Sequence, residues 1–249
     1  MEERQEKFSS KKSSSERVYV ECNFAAINPA CIWHAVKKAS WQARIPLLIF
    51  LIRILICRIL NKQLWVLKYT DDKFLYKKVN ITEFTSLIPR RANEVSGELM
   101  KLRFKHLEDY VSGASAGSTV CRLYSNPSIG TYAILSVCCS KEMRGYVDLE
   151  YRSLYNNGCQ VVTLDAPLPG WREYSPLHIH AYPGFSAERL LEKHLKHKND
   201  KAIEEWKPLP NANTSEYVDF LESTFTNFID YLESNGYARR VRMESHCKR

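Results

Sequence analysis

Apolar residues run almost unbroken from Ile45 to Leu60, where twelve side chains are Ile, Leu or Phe and only Arg53 and Arg58 carry charge. Such density predicts a helix without a polar side. Upstream, Asn28-Pro29 has the form of an N-cap and first helical position, predicting a helix to about Arg44 that Pro46 breaks or redirects. Downstream, Leu64 to Thr70 and Phe74 to Ile81 predict a short strand pair around Asp71-Asp72. Leu99, Leu102 and His106, with Met100, Leu107 and Val111 beside them, then recur at helical spacing from Ser96 to about Val111.

The middle of the chain changes period. Thr119 to Tyr124, Thr131 to Ser140, Tyr146 to Tyr155 and Cys159 to Leu164 are rich in strand formers and separated by turn residues. In the third run Val147, Leu149 and Tyr151 alternate with Asp148, Glu150 and Arg152, the pattern of an antiparallel strand with one wetter face. A fifth strand is expected from Leu177 to Tyr182. Helical spacing returns after Ser186, from Ala187 to about Glu205, and again from Ser215 to Glu233, where Tyr217, Phe220, Leu221, Phe225, Phe228, Ile229 and Leu232 form one stripe.

The expected fold is therefore α+β: an antiparallel β-meander of four to five strands packed against helices, with an N-terminal apolar basic helix that is either a membrane anchor or buried. The expected divisions are a disordered tail over 1–17, a basic apolar membrane-associating region over 18–70, an α+β domain over 71–236 and a basic tail over 237–249. Within the domain the sheet covers about 119–182, and the helices about 96–111, 187–205 and 215–233.

Charge changes the picture at the apolar run. The net charge is +8, yet no acidic residue occurs between Glu21 and Asp71, where Lys37, Lys38, Arg44, Arg53, Arg58, Lys62 and Lys68 lie. Basic blocks attract phosphate, and greasy surroundings favour anionic lipid over nucleic acid. Lys37, Lys38, Arg44, Arg53, Arg58 and Lys62 are the candidate lipid contacts. No specific nucleic-acid module is visible. Polar residues, not a secretory signal, precede the run, so the main domain is expected on the cytoplasmic side.

Energetics leave the mode of contact open. Twelve apolar side chains at about −0.3 to −0.6 kcal/mol each roughly balance two arginines at about +2.5 to +3.5 each. A helix of this length reaches about 24 Å, short of a hydrocarbon core of about 30 Å. Lying in the interface is the second possibility, although Arg44 and Arg53 fall on opposite sides and leave no single polar face. Burial in the protein core, with the arginines paired to carboxylates, is the third. Trp41 and Trp65 stand near the two ends.

Candidate chemistry adds less. The eight cysteines form no C-x-x-C pair and suit buried thiols in a reducing compartment. His178 and His180 alternate on the fifth strand, and His194 and His197 lie one turn apart on the next helix. If the two pairs met, they could hold zinc or another divalent transition metal. Gly113-Ala114-Ser115-Ala116-Gly117 matches G-x-S-x-G, but a helix before it and a strand after it invert the context of a nucleophile elbow. The leading expectation is a membrane-associated, non-enzymatic binding or interaction protein. Its rivals are a soluble metal-dependent enzyme using the histidines, and a soluble adaptor with the apolar segment buried that engages a protein partner.

Overall fold

The structure, a computed structural model, describes residues 17–39, 41–69, 76–80, 88–112, 119–138, 146–168, 170, 174, 176–200 and 214–243. Its helices are α1 (Pro29–Lys38), α2 (Trp41–Ile59), α3 (Arg90–Lys101), α4 (Ala187–Lys198) and α5 (Thr214–Ser234). Its strands are β1 (Arg17–Asn23), β2 (Trp65–Tyr69), β3 (Tyr76–Lys78), β4 (Lys105–Ser112), β5 (Thr119–Asn126), β6 (Thr131–Cys138), β7 (Val147–Leu154), β8 (Gln160–Leu164), β9 (Leu177–Ala181) and β10 (Ala238–Met243).

The protein is α+β. One sheet has seven strands in the order β3-β4-β5-β6-β7-β8-β9, and a smaller one has the order β10-β1-β2. The expected hairpins β5 to β8 are antiparallel neighbours in chain order, whereas β9 lies parallel to β8. α3 and α4 cover one face of the large sheet, Val95, Leu99, Leu190 and Leu191 packing against Leu135, Val137, Leu149 and Tyr151. α5 covers the other with Tyr217 and Leu221 against Tyr132, Ile134 and Leu154. Its second half, through Phe225, Ile229 and Leu232, packs on Val20, Cys22 and Ala238 of the small sheet. The stripe expected on this helix is thus core, and each fully buried member contributes on the order of 2 kcal/mol.

Local signals fix several boundaries. The Asn28 side chain accepts from the Ala30 amide at 3.0 Å and Pro29 takes the first helical position, as expected. α1 ends at Lys38 rather than Arg44, because Ala39 is extended. Ser186 caps α4 by accepting from the Arg189 amide, and Gly236, at φ 72, ends α5.

Other expectations are corrected. The helix placed over 96–111 is two elements, α3 and β4. Arg103 adopts φ 65, and the amides of Arg103 and Phe104 donate to Met100 O and Leu99 O, both at 3.0 Å, a left-handed stop that the helical spacing alone does not reveal. β2 and β3 do not pair with each other, since β2 joins β1 and β3 joins β4. Residues 238–243, expected in a basic tail, form β10. Arg239 is paired with Glu21, and Arg240 with Asp230 and Glu233. The expected polar tail before Arg17, the Gly113–Ser118 linker, the Lys207-Pro208-Leu209-Pro210 break and the residues after Met243 lie outside the described residues.

Candidate functional site

α2 has two apolar faces with different surroundings. With about 100° between successive residues, Leu47, Phe50, Leu51, Ile54 and Cys57 share one side. That side meets protein: Ile54 is 0% exposed, and the Phe50 ring stands edge-on to Phe24 with centroids 5.2 Å apart. At the C-terminus Asn61 takes φ 50, and the Lys62 amide donates to Cys57 O at 2.7 Å, closing the last turn. The Arg58 Nε donates to Ala25 O at 2.7 Å, fastening the helix end to the turn after β1.

The opposite side is bare. Ile45, Leu48, Ile49, Ile52, Leu55, Ile56 and Ile59 fall within an arc of about 120°. Their exposure runs from 37% at Leu48 to 82% at Ile59, and Trp41 is 74% exposed at the helix start. Fully covering such a side chain is worth roughly 1.5–3 kcal/mol, so seven half-exposed ones leave on the order of 5–10 kcal/mol to whatever covers them. Contiguous apolar surface of this kind marks an interaction face. Among the described residues, no helix is long and apolar enough to cross a membrane.

The basic candidates divide. Arg44 and Arg53 are exposed and stand at the two borders of the bare arc, and Lys62 is exposed beyond its end. Lys37 is exposed with its ammonium 5.7 Å from the Trp33 ring centre. Arg58 is exposed but engages Ala25. Lys38 is only partly exposed and is engaged elsewhere. Its Nζ donates to Asp148 Oδ1 at 2.7 Å, Val147 O at 2.9 Å and Asp165 Oδ2 at 3.3 Å, pinning α1 to the large sheet. Burial alone raises the Asp148 carboxyl, but His34 and Lys38 together hold it below its usual range.

The four histidines are brought near one another without forming a common centre. His194 is fully buried, with Nε2 3.0 Å from Ser153 Oγ and Nδ1 3.0 Å from Thr163 Oγ1. Both ring nitrogens are thereby occupied by hydroxyls. Burial pushes its pKa down to about 3, helped by the charges of Lys198 and the neighbouring histidines. His180 and His197 stack face to face, centroids 3.5 Å apart and planes 2° from parallel, and His197 Nε2 lies 2.6 Å from Tyr182 Oη. Parallel stacked rings aim their in-plane lone pairs side by side instead of at one ion. Burial lowers His180 to about 4, with His197 and His178 adding to the shift. Among the described residues, no group of three or more His, Cys, Asp or Glu side chains is arranged to hold a metal ion.

Residues without a sequence signal complete a polar line across β7. Asp148, Glu150 and Arg152, the alternating polar positions, are covered by α1 and α5 rather than fully wetted. Arg152 donates to Glu150 at 2.7 Å and to Gln160 Oε1 at 2.9 Å, and Gln160 reaches Thr224 of α5 at 3.4 Å. The alternation was legible, but the partners lie as far as 110 residues away, as Lys38 does from Asp148.

No protein-family model matches the chain, and no curated protein or solved structure is significantly similar to it.

Proposed function

We propose that this chain is a membrane-associated, non-enzymatic binding protein that rests on an anionic leaflet through the bare face of α2, with its α+β body on the cytoplasmic side. The carrying observation is a contiguous stripe of exposed Ile and Leu bordered by Arg44 and Arg53 in a stretch without acidic residues. An in-plane helix normally needs a polar side to face water. Here the body of the protein takes that place, because Phe50 and Ile54 pack inward. Arginines at the borders can reach headgroup phosphates while the stripe sits among acyl chains.

Co-sedimentation with phosphatidylcholine vesicles, with and without phosphatidylserine, tests this. The full-length chain pellets preferentially with the anionic vesicles, and Ile49→Glu/Ile56→Glu weakens binding at least tenfold while its circular dichroism stays unchanged. A wild-type chain left in the supernatant, or a double variant that binds as well, overturns the proposal.

A second reading has its own observation. Ile45, Leu48, Ile52, Leu55 and Ile59 alternate at spacings of three and four, with Ile and Leu in the positions that suit a two-stranded coiled coil. That arrangement supports an adaptor whose α2 meets a second copy of this chain. Analytical ultracentrifugation without lipid separates the two: a stable dimer favours the adaptor, and a monomer favours the membrane.

A further inference from the structure

α5 covers the large sheet unevenly. Tyr217 and Leu221 seal it over β4 to β7, but where the helix passes the ends of β7, β8 and β9 a cavity of about 170 Å³ remains. Tyr174, Leu177, Phe225 and Phe228 make its apolar walls, and Arg152, Gln160 and Thr224 make its polar end. The rings are already ordered, since Tyr174 packs on Phe228 with centroids 5.7 Å apart and on Tyr231 at 4.8 Å. Gly158, at φ 80 on the rim, would place a Cβ in open space.

Size and chemistry narrow the occupant. An apolar cavity of about 150 Å³ accommodates one benzene ring, so this one takes a single aromatic ring with a small substituent. At the polar end the donors predominate. Of the five N–H groups of a guanidinium and the two of a carboxamide, Arg152 gives one to Gln160 Oε1 and one to Glu150, and Gln160 gives one to the Thr224 hydroxyl. That hydroxyl is itself turned to Phe220 O and Leu221 O at 3.0 and 3.2 Å, so N–H groups still outnumber oxygens here. The complementary group is therefore a hydrogen-bond acceptor. Glu150, 2.7 Å from the Arg152 guanidinium, cancels its charge and disfavours a carboxylate beside it.

We infer that the cavity between α5 and the β7–β9 end is a binding site for an uncharged, single-ring aromatic molecule bearing one acceptor oxygen, such as an aryl amide or aryl ketone. Saturation-transfer NMR and calorimetry on the full-length chain test it with benzamide, benzoate and toluene as probes. Benzamide binds at least fivefold more tightly than either of the others. Thr224→Phe, which fills the cavity, weakens it at least tenfold, and Gln160→Leu brings benzamide and toluene to equal affinity with the ring contacts retained. No binding of any probe, equal affinity for all three in the wild type, or undiminished benzamide binding to a folded Thr224→Phe chain overturns the inference.

Discussion

Lys38 and Arg53 belong to the same acid-free block, and the fold gives them opposite fates. Lys38 finds Asp148 and Asp165 more than a hundred residues away, while Arg53 stays exposed at the edge of the bare stripe. Charge density showed where cations gather but not which of them has a carboxylate waiting, because that depends on the sheet. His194 was partly legible, since it falls in the apolar face of its helix. Its partners Ser153 and Thr163 come from two strands and leave no trace in spacing. The depressed histidines have a thermodynamic consequence. Both are neutral in the fold, with values of about 4 for His180 and about 3 for His194, and both charge near 6.5 once unfolded. The unfolded chain then binds more protons, so their contribution is complete above about 6.5 and is lost as pH falls toward the folded values. The urea midpoint accordingly declines from pH 7 to pH 5, and His194→Gln, less stable at pH 7, shows a flatter decline. An equally steep profile in the variant contradicts this role.

At the scale of elements, the strongly periodic segments were legible and the stops between them were not. β5 to β8 and α5 follow directly from alternation and from the 3.6-residue stripe. α3 and β4 read as one helix in the sequence because Leu99, Leu102 and His106 keep a helical spacing across a chain reversal. Arg103 marks that reversal, and nothing in its side chain announces φ 65. A non-glycine residue there costs about 1 kcal/mol, so Arg103→Gly raises stability by about 0.5–1 kcal/mol in urea unfolding. An unchanged or lower midpoint shows that the stop carries no strain. β10 was hidden for another reason. Three of its six residues, Arg239, Arg240 and Arg242, look like a basic tail until Glu21, Asp230 and Glu233 are placed beside Arg239 and Arg240.

The whole molecule is joined by α5, which serves as one wall of the large sheet and as the core of the small one. Against that joined body α2 keeps a protein-facing side and a bare side. The helix could therefore be found from composition, but its two-sidedness could not, since Ile and Leu fill both faces of the run. An all-round apolar helix argues for full burial in lipid or protein; a half-docked one argues for a surface at which the remaining half is covered. The most direct measurement is photo-crosslinking from a benzophenone amino acid placed at position 52 of the full-length chain, with phosphatidylcholine/phosphatidylserine vesicles present. A lipid adduct is expected at position 52 and none from the buried position 99. A protein dimer band in place of the lipid adduct, or no crosslink at all, contradicts it.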